Sequence, residues 1–123
     1  MNNKNIILTL ALIFLPALVS ATEFNPNFII SDSELQDYTS WSRNDVQQFL
    51  DSKASYLRNY ATKDVSGTTK KAAEIIYDAA QEYEINPKYL LVTLQKEQSL
   101  ISSSSCSDGA LNAAMGYGCP DSG

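Results

Sequence analysis

INPKYLLVTLQKEQSLI, residues 85–101, is the stretch that decides the predicted fold. Asn86 is a residue type preferred just before a helix, and Pro87 suits the first helical position, where a backbone N–H is not needed. The pattern therefore predicts a helix from Pro87 to about Ile101. Its first turns carry apolar residues on every side, which is typical of a helix buried among others. We expect this helix at the centre of the domain.

Further helices are predicted on both sides of the central one. Ser42, with Asp45 three residues later, is a capping pattern that predicts a helix beginning near Ser42. A turn is expected at 63–67, followed by a second helix from Thr68 or Thr69. Its inward stripe comprises Ala73, Ile76, Ala80 and Tyr83. With a short helical stretch over 110–115, these patterns predict an all-α fold that is incomplete at its C-terminus.

The N-terminal 21 residues have the pattern of a secretory signal. Lys4 precedes an apolar run at 6–15, Pro16 interrupts the run, and small residues lead to a cleavage site after Ala21. The run is too short to cross a bilayer comfortably. We therefore expect the mature protein to be exported to the periplasm, the cell surface or the medium, without a stable membrane span.

Three segments follow from this division of the chain. The signal peptide covers 1–21, and an irregular lead-in covers 22–41. In the lead-in, Ser31 and Glu34 are expected to cap a helical turn, and its apolar residues indicate attachment to the core. The helical domain is expected to cover 42–123.

Composition excludes several classes of function. The chain has 9 Lys and Arg against 14 Asp and Glu. It therefore has no basic patch to displace counterions from phosphate, and no nucleic-acid partner is expected. The absence of His excludes Ser-His-Asp and Cys-His nucleophiles and a His-ligated zinc. No metal or cofactor is expected, and an enzyme of this composition would use carboxylates.

Two cysteines, Cys106 and Cys119, follow the predicted signal. Exported proteins meet an oxidising environment, so a disulfide between them is predicted. Such a bridge would contribute about 3 kcal/mol in the chain-entropy treatment. The alternative, a catalytic cysteine, lacks a His to activate its thiolate.

Glu97 is the candidate catalytic residue. With about 3.6 residues per turn, it shares one stripe of the predicted central helix with Leu90, Leu94 and Ile101. Lys88 and Lys96 lie off that stripe and cannot be assumed to neutralise the carboxylate. A carboxyl on an apolar face loses hydration, which penalises its charged form, and the helix C-terminus acts in the same direction. A carboxyl that keeps its proton beside a cleft suits a general acid for glycosidic cleavage. The alternative left open is a Glu that only extends past the last hydrophobic residue into water.

Three segments of the chain resemble the lysozyme-like catalytic domain of soluble lytic transglycosylases, which is related to goose-type lysozyme. Residues 85–91 resemble the entry into that family's central helix, and Lys-Glu-Gln-Ser-Leu at 96–100 resembles its catalytic Glu-Ser motif. Residues 113–118 stand where the family carries its Gly-Leu-Met-Gln substrate loop. The opening at 24–32 is similar to the start of exported bacterial proteins that carry such a domain.

The resemblance implies cleavage of the β-1,4 bond between N-acetylmuramic acid and N-acetylglucosamine in peptidoglycan. Glu97 would protonate the leaving oxygen and then act as base while the muramoyl 6-hydroxyl closes onto C1. One carboxyl is sufficient for such substrate-assisted chemistry. The implied substrate-binding residues are Gln98, Ser99, Met115 and Tyr117. For Tyr117, an aromatic that covers the disulfide is an equal alternative.

Two other interpretations stay open at this point. One is an exported cell-wall-binding or surface-adhesion module without turnover, favoured because Gln98 stands where the family usually has Ser and because the cleft ends early. The other is a fragment without activity. Peptidoglycan glycan strands are the expected partner of both the enzyme and the binding module.

Overall fold

The computed structural model describes residues 25–116, where short helices and one β-hairpin surround a single hydrophobic core. The elements in chain order are α1 (Asp32–Leu35), α2 (Arg43–Ser52), a 3-10 turn (Tyr56–Arg58), β1 (Ala61–Lys63), β2 (Thr69–Lys71), α3 (Ala72–Glu82), α4 (Pro87–Gln98) and α5 (Asp108–Asn112). Helix α3 packs against both α2 and α4. The core consists of Val46, Leu50, Leu57, Ala72, Ala73, Ile76, Leu91, Leu94, Leu100 and Ile101.

The predicted start of α2 is confirmed. Ser42 Oγ accepts a hydrogen bond from the N–H of Asp45 at 3.2 Å, and Asp45 Oδ2 accepts from the N–H of Ser42 at 2.8 Å. Hydrogen bonds from the Ser42 side chain and backbone lower the pKa of Asp45. The predicted cap of the lead-in turn is confirmed as well, since Ser31 and Glu34 form the same reciprocal box at α1.

Asn86 joins the lead-in to the start of α4. Its backbone N–H donates to the carbonyl oxygen of Leu35 at 2.7 Å, and its Nδ2 donates to that of Glu34 at 2.9 Å. Its Oδ1 accepts from the N–H of Lys88 at 3.0 Å, which makes Asn86 the predicted N-cap of α4. One buried side chain therefore caps a helix and holds the lead-in on the domain.

The prediction of an all-α fold is wrong, because the described residues contain a two-stranded antiparallel sheet and the fold is mixed α/β. β1 pairs with β2 in a register that places Thr62 opposite Lys70. The turn between them is the predicted one. Asp64 Oδ1 accepts from the N–H groups of Ser66 and Thr68, both at 2.9 Å, and Gly67 supplies the positive φ of 81° that closes the turn.

The second predicted helix begins later than expected. Residues 69–71 form β2, and α3 begins at Ala72, whose N–H donates to the carbonyl oxygen of Tyr60 at 2.9 Å. Three members of the expected inward stripe are buried, whereas Tyr83 is 67% exposed. Tyr83 follows the last helical residue, so it no longer keeps the helical phase of the stripe.

The central helix is shorter than predicted, and one of its sides is exposed. α4 ends at Gln98, and Ser99 adopts the left-handed conformation with φ 56°. The chain then turns so that Leu100 and Ile101 enter the core, at 1% and 6% exposure. On the opposite side of α4, Val92 is 63% exposed, so the helix is not surrounded by others. No helix within residues 25–116 is long and apolar enough to cross a membrane.

Candidate functional site

Glu97 lies in the last turn of α4, at the edge of its buried face. The side chain is 30% exposed, so water reaches the carboxyl. The buried face of the helix runs through Leu91 and Leu94, which places Glu97 at its border. The predicted position near the helix C-terminus is confirmed, and the carboxyl is only partly removed from water.

Lys96 reaches the carboxyl despite its place off the apolar stripe. Its Nζ lies 3.1 Å from Oε1 of Glu97, and the Lys96 side chain is 78% exposed. The helical pattern left open whether Lys96 neutralises Glu97, and the structure shows the two side chains in contact. The lysine side chain is long and flexible, so it can bend toward a neighbouring carboxylate although the two residues face different sides of the helix.

Gly116 closes the other side of the carboxyl. It follows α5, and its N–H donates to the carbonyl oxygen of Ala113 at 2.9 Å. A Cβ built on Gly116 would lie 2.5 Å from Oε2 of Glu97 and 2.8 Å from its Cδ. The backbone of the 113–116 turn thus comes within contact distance of the Glu97 carboxyl.

An open groove of about 430 Å³ lies beside this carboxyl, between α3, α4, α5 and the hairpin. Its walls are mainly apolar and include Leu94 of α4 and Met115 of the 113–116 turn. Glu97 does not line the groove itself. It lies one helical turn beyond Leu94, and Gly116, its contact, directly follows Met115. The carboxyl is therefore placed next to the groove.

The other predicted substrate-binding residues have different positions. Gln98 is the last residue of α4 and is half-buried, and Ser99 is exposed in the left-handed position after it. Met115 is 43% exposed and lines the groove. Tyr117 lies outside the described residues. The structure thus brings Met115 into the neighbourhood of Glu97, and a role in substrate binding stays a prediction for all four.

Gln95 is a residue that the sequence analysis missed. Its Oε1 accepts from the N–H groups of Ile101 and Ser102 at 3.1 and 3.0 Å, and its Nε2 donates to Ser102 Oγ at 2.9 Å. The amide therefore holds the chain reversal that follows Ser99. A Gln in a helix with a serine run after it carries no local signal for this role.

Only one cysteine of the predicted disulfide, Cys106, lies within the described residues. Cys106 is half-buried and forms no disulfide within residues 25–116, where its Sγ lies 3.3 Å from the carbonyl oxygen of Ser107. Cys119 lies outside the described residues, so the bridge stays a prediction. Within the same part of the chain, no group of three or more acidic or Cys side chains is placed to hold a metal ion.

The fold and the site together define a small helix-and-hairpin domain with a carboxylate beside an apolar groove. The model of the LasA N-terminal domain family matches residues 28–123, and the chain belongs to that family. No curated protein and no solved structure matches the chain. The resemblance to lysozyme-like lytic transglycosylases is therefore wrong. The short segments that carried it are local features of a helix end and a glycine turn, and they do not define that fold.

The family assignment bears on where the protein acts. The LasA domain comes from a secreted protein family, which agrees with the predicted export of this chain. The predicted signal peptide at 1–21 lies outside the described residues, as does the cleavage site after Ala21.

Proposed function

We propose that the exported chain cleaves the glycan strands of bacterial cell-wall peptidoglycan, with Glu97 as general acid and base. The observation that carries the proposal is the enclosure of the Glu97 carboxyl between the Lys96 ammonium and the Gly116 backbone. A carboxyl that is held on two sides and still reached by water can exchange a proton with a substrate that occupies the adjacent groove.

The chemistry needs one protein carboxyl and one group of the sugar. Glu97 protonates the glycosidic oxygen that leaves N-acetylmuramic acid, and the muramoyl 6-hydroxyl attacks C1 and returns its proton to Glu97. Glycosidases usually use a second carboxylate, but substrate-assisted reactions are established exceptions.

A specific observation favours a second candidate function. Glu97 forms an ion pair with the exposed Lys96, an arrangement that is common on protein surfaces without any chemical role. The groove beside it is mainly apolar. Both features suit a cell-wall-binding or surface-adhesion module that binds peptidoglycan without cleaving it.

The test replaces Glu97 with Gln in the full mature chain and measures the release of soluble muropeptides from peptidoglycan. Glu97→Gln keeps the volume and removes the proton, so turnover should fall by about 10²–10⁴-fold. Glu82→Gln is the matched control, since Glu82 is an exposed glutamate in the last turn of α3. It should retain turnover, and thermal unfolding should be nearly unchanged in both.

The other outcomes decide between the two candidates. Full turnover of Glu97→Gln would exclude Glu97 as the acid. Absence of turnover in the wild type, together with its co-sedimentation with insoluble peptidoglycan, would support the binding module.

A further inference from the structure

Gly116 has both a positive φ and a close neighbour, the Glu97 side chain, in the space where another residue would carry its Cβ. Its φ is +69°, a backbone angle that residues with a side chain rarely adopt. Gly67 has a similar φ of +81°, but a Cβ built there meets no atom within 4 Å. At Gly116 the same added atom would overlap Oε2 and Cδ of Glu97 and press on its Cγ at 3.1 Å. Replacing either glycine would therefore strain the backbone. Only at Gly116 would the new side chain also meet another residue, Glu97.

We propose that Gly116 is a positioning residue for the Glu97 carboxyl. The inference rests on the proposed function, in which Glu97 carries the proton. The volume that a side chain would fill at Gly116 is the volume that the carboxyl occupies. Lys96 Nζ holds Oε1 from one side, and the Gly116 backbone limits Oε2 from the other. A side chain at Gly116 would displace the carboxyl.

Displacing the Glu97 carboxyl should cost little free energy of unfolding. The substitution should therefore affect turnover much more than stability. The overlapping atoms are the far end of a flexible, partly exposed side chain, so Glu97 can rotate toward water at little cost in stability. Gly116→Ala should therefore lose no more stability than Gly67→Ala, where only the backbone strain remains. Turnover responds differently, because a catalytic group misplaced by about 1 Å can lower the rate about 10²-fold.

The experiment compares Gly116→Ala with Gly67→Ala in the full mature chain. The primary readout is the carbon-13 resonance of the Glu97 side-chain carboxyl, assigned by its absence in Glu97→Gln. We expect this resonance to move in Gly116→Ala and to stay in place in Gly67→Ala. In peptidoglycan turnover, kcat of Gly116→Ala should fall about 10²-fold with KM unchanged, while Gly67→Ala keeps its activity.

Each result bears on one of the two claims. An unmoved carboxyl resonance in Gly116→Ala overturns the positioning role, whatever the turnover shows. A moved resonance together with full turnover of Glu97→Gln leaves the positioning role standing and rejects the proposed function. If Gly116→Ala does not fold, Glu97→Ala is combined with it. The double variant should then fold, because the atoms that the added methyl group overlaps are gone, and a double variant that stays unfolded overturns the proposal.

Discussion

We expect the polar side chain of Asn86 to contribute strongly to the free energy of unfolding of this domain. Asn86→Ala removes the N-cap of α4, because Oδ1 no longer accepts from the N–H of Lys88. It also removes the hydrogen bond from Nδ2 to the carbonyl oxygen of Glu34. The backbone hydrogen bond from Asn86 to Leu35 does not depend on the side chain. Two short side-chain hydrogen bonds are therefore lost, together with a longer one that Oδ1 accepts from Ser40 Oγ at 3.5 Å.

The magnitude follows from the two short hydrogen bonds. Loss of an N-cap costs about 1 kcal/mol, and loss of a side-chain hydrogen bond costs about 1 kcal/mol. The free energy of unfolding should fall by about 2 kcal/mol, which lowers the melting temperature of a domain of this size by about 10 °C. Asn86→Ser separates the two terms, because its hydroxyl keeps a cap acceptor and its shorter side chain loses the donor to Glu34. Its loss should be about half as large.

Denaturant and thermal unfolding, followed by circular dichroism, measure the loss, and limited proteolysis reports the attachment of the lead-in. Residues 25–41 should be cleaved faster in both Asn86 variants than in the wild type, since both lose the hydrogen bond to the lead-in. Asn44→Ala is the control, because Asn44 is exposed on α2, and it should change stability by less than about 0.5 kcal/mol. Equal losses in Asn86→Ser and Asn86→Ala, or an unchanged cleavage rate, would refute this account of Asn86.

Two further variants test the helix end and the charges beside the hairpin. Ser99→Gly should raise the free energy of unfolding by about 1 kcal/mol, because Ser99 has φ 56° and glycine adopts that angle without strain; a loss of stability in denaturant unfolding would contradict this. Lys70 Nζ lies 2.7 Å from Asp78 Oδ2, and this hydrogen bond lowers the pKa of Asp78. The stabilisation from the ion pair is therefore present above the unfolded pKa of Asp, about 3.9, and is lost as the pH falls through the lower folded value. The hydrogen bond from Ser66 and the contact of Lys70 Nζ with Asp64 Oδ2 at 2.9 Å lower the pKa of Asp64 in the same way, and Lys70→Met also removes this contact. The variant should be less stable than wild type at pH 7, with a difference that shrinks below about pH 4 as these carboxylates take up protons. A difference that stays constant down to pH 2 would contradict this account of the ion pairs.

The helix starts could be predicted from sequence because their causes are local. The caps at Ser31, Ser42 and Asn86 each join residues that are two or three positions apart. Nothing outside those short windows is needed to form them. The second function of Asn86, its link to the lead-in, could not be predicted in this way. It depends on where a segment some fifty residues earlier lies.

The hairpin could not be predicted because its strands carry no periodic signal. β1 and β2 have three residues each, and both are mostly exposed. Apolar–polar alternation identifies a strand only when one face is buried over several residues. The threonines and lysines at 68–71 therefore suggested a helix start as readily as a strand. The turn itself was predictable, because Asp64 and Gly67 have the turn chemistry that the loop requires.

The surroundings of Glu97 depend on packing that the helical pattern of α4 does not contain. The predicted stripe comprised Leu90, Leu94 and Ile101, and the last two are buried as expected. Leu91, which the prediction left off the stripe, is buried more completely than Leu90, so the buried face is turned away from Glu97, which lies at its border. That border is where a carboxyl can be reached by Lys96, by water and by a turn from later in the chain. A Glu in the middle of the buried face would have had no such partners. The features that support a chemical role for Glu97 therefore arise from the tertiary contact with Gly116, and the variants at that glycine test the site more directly than any change within α4.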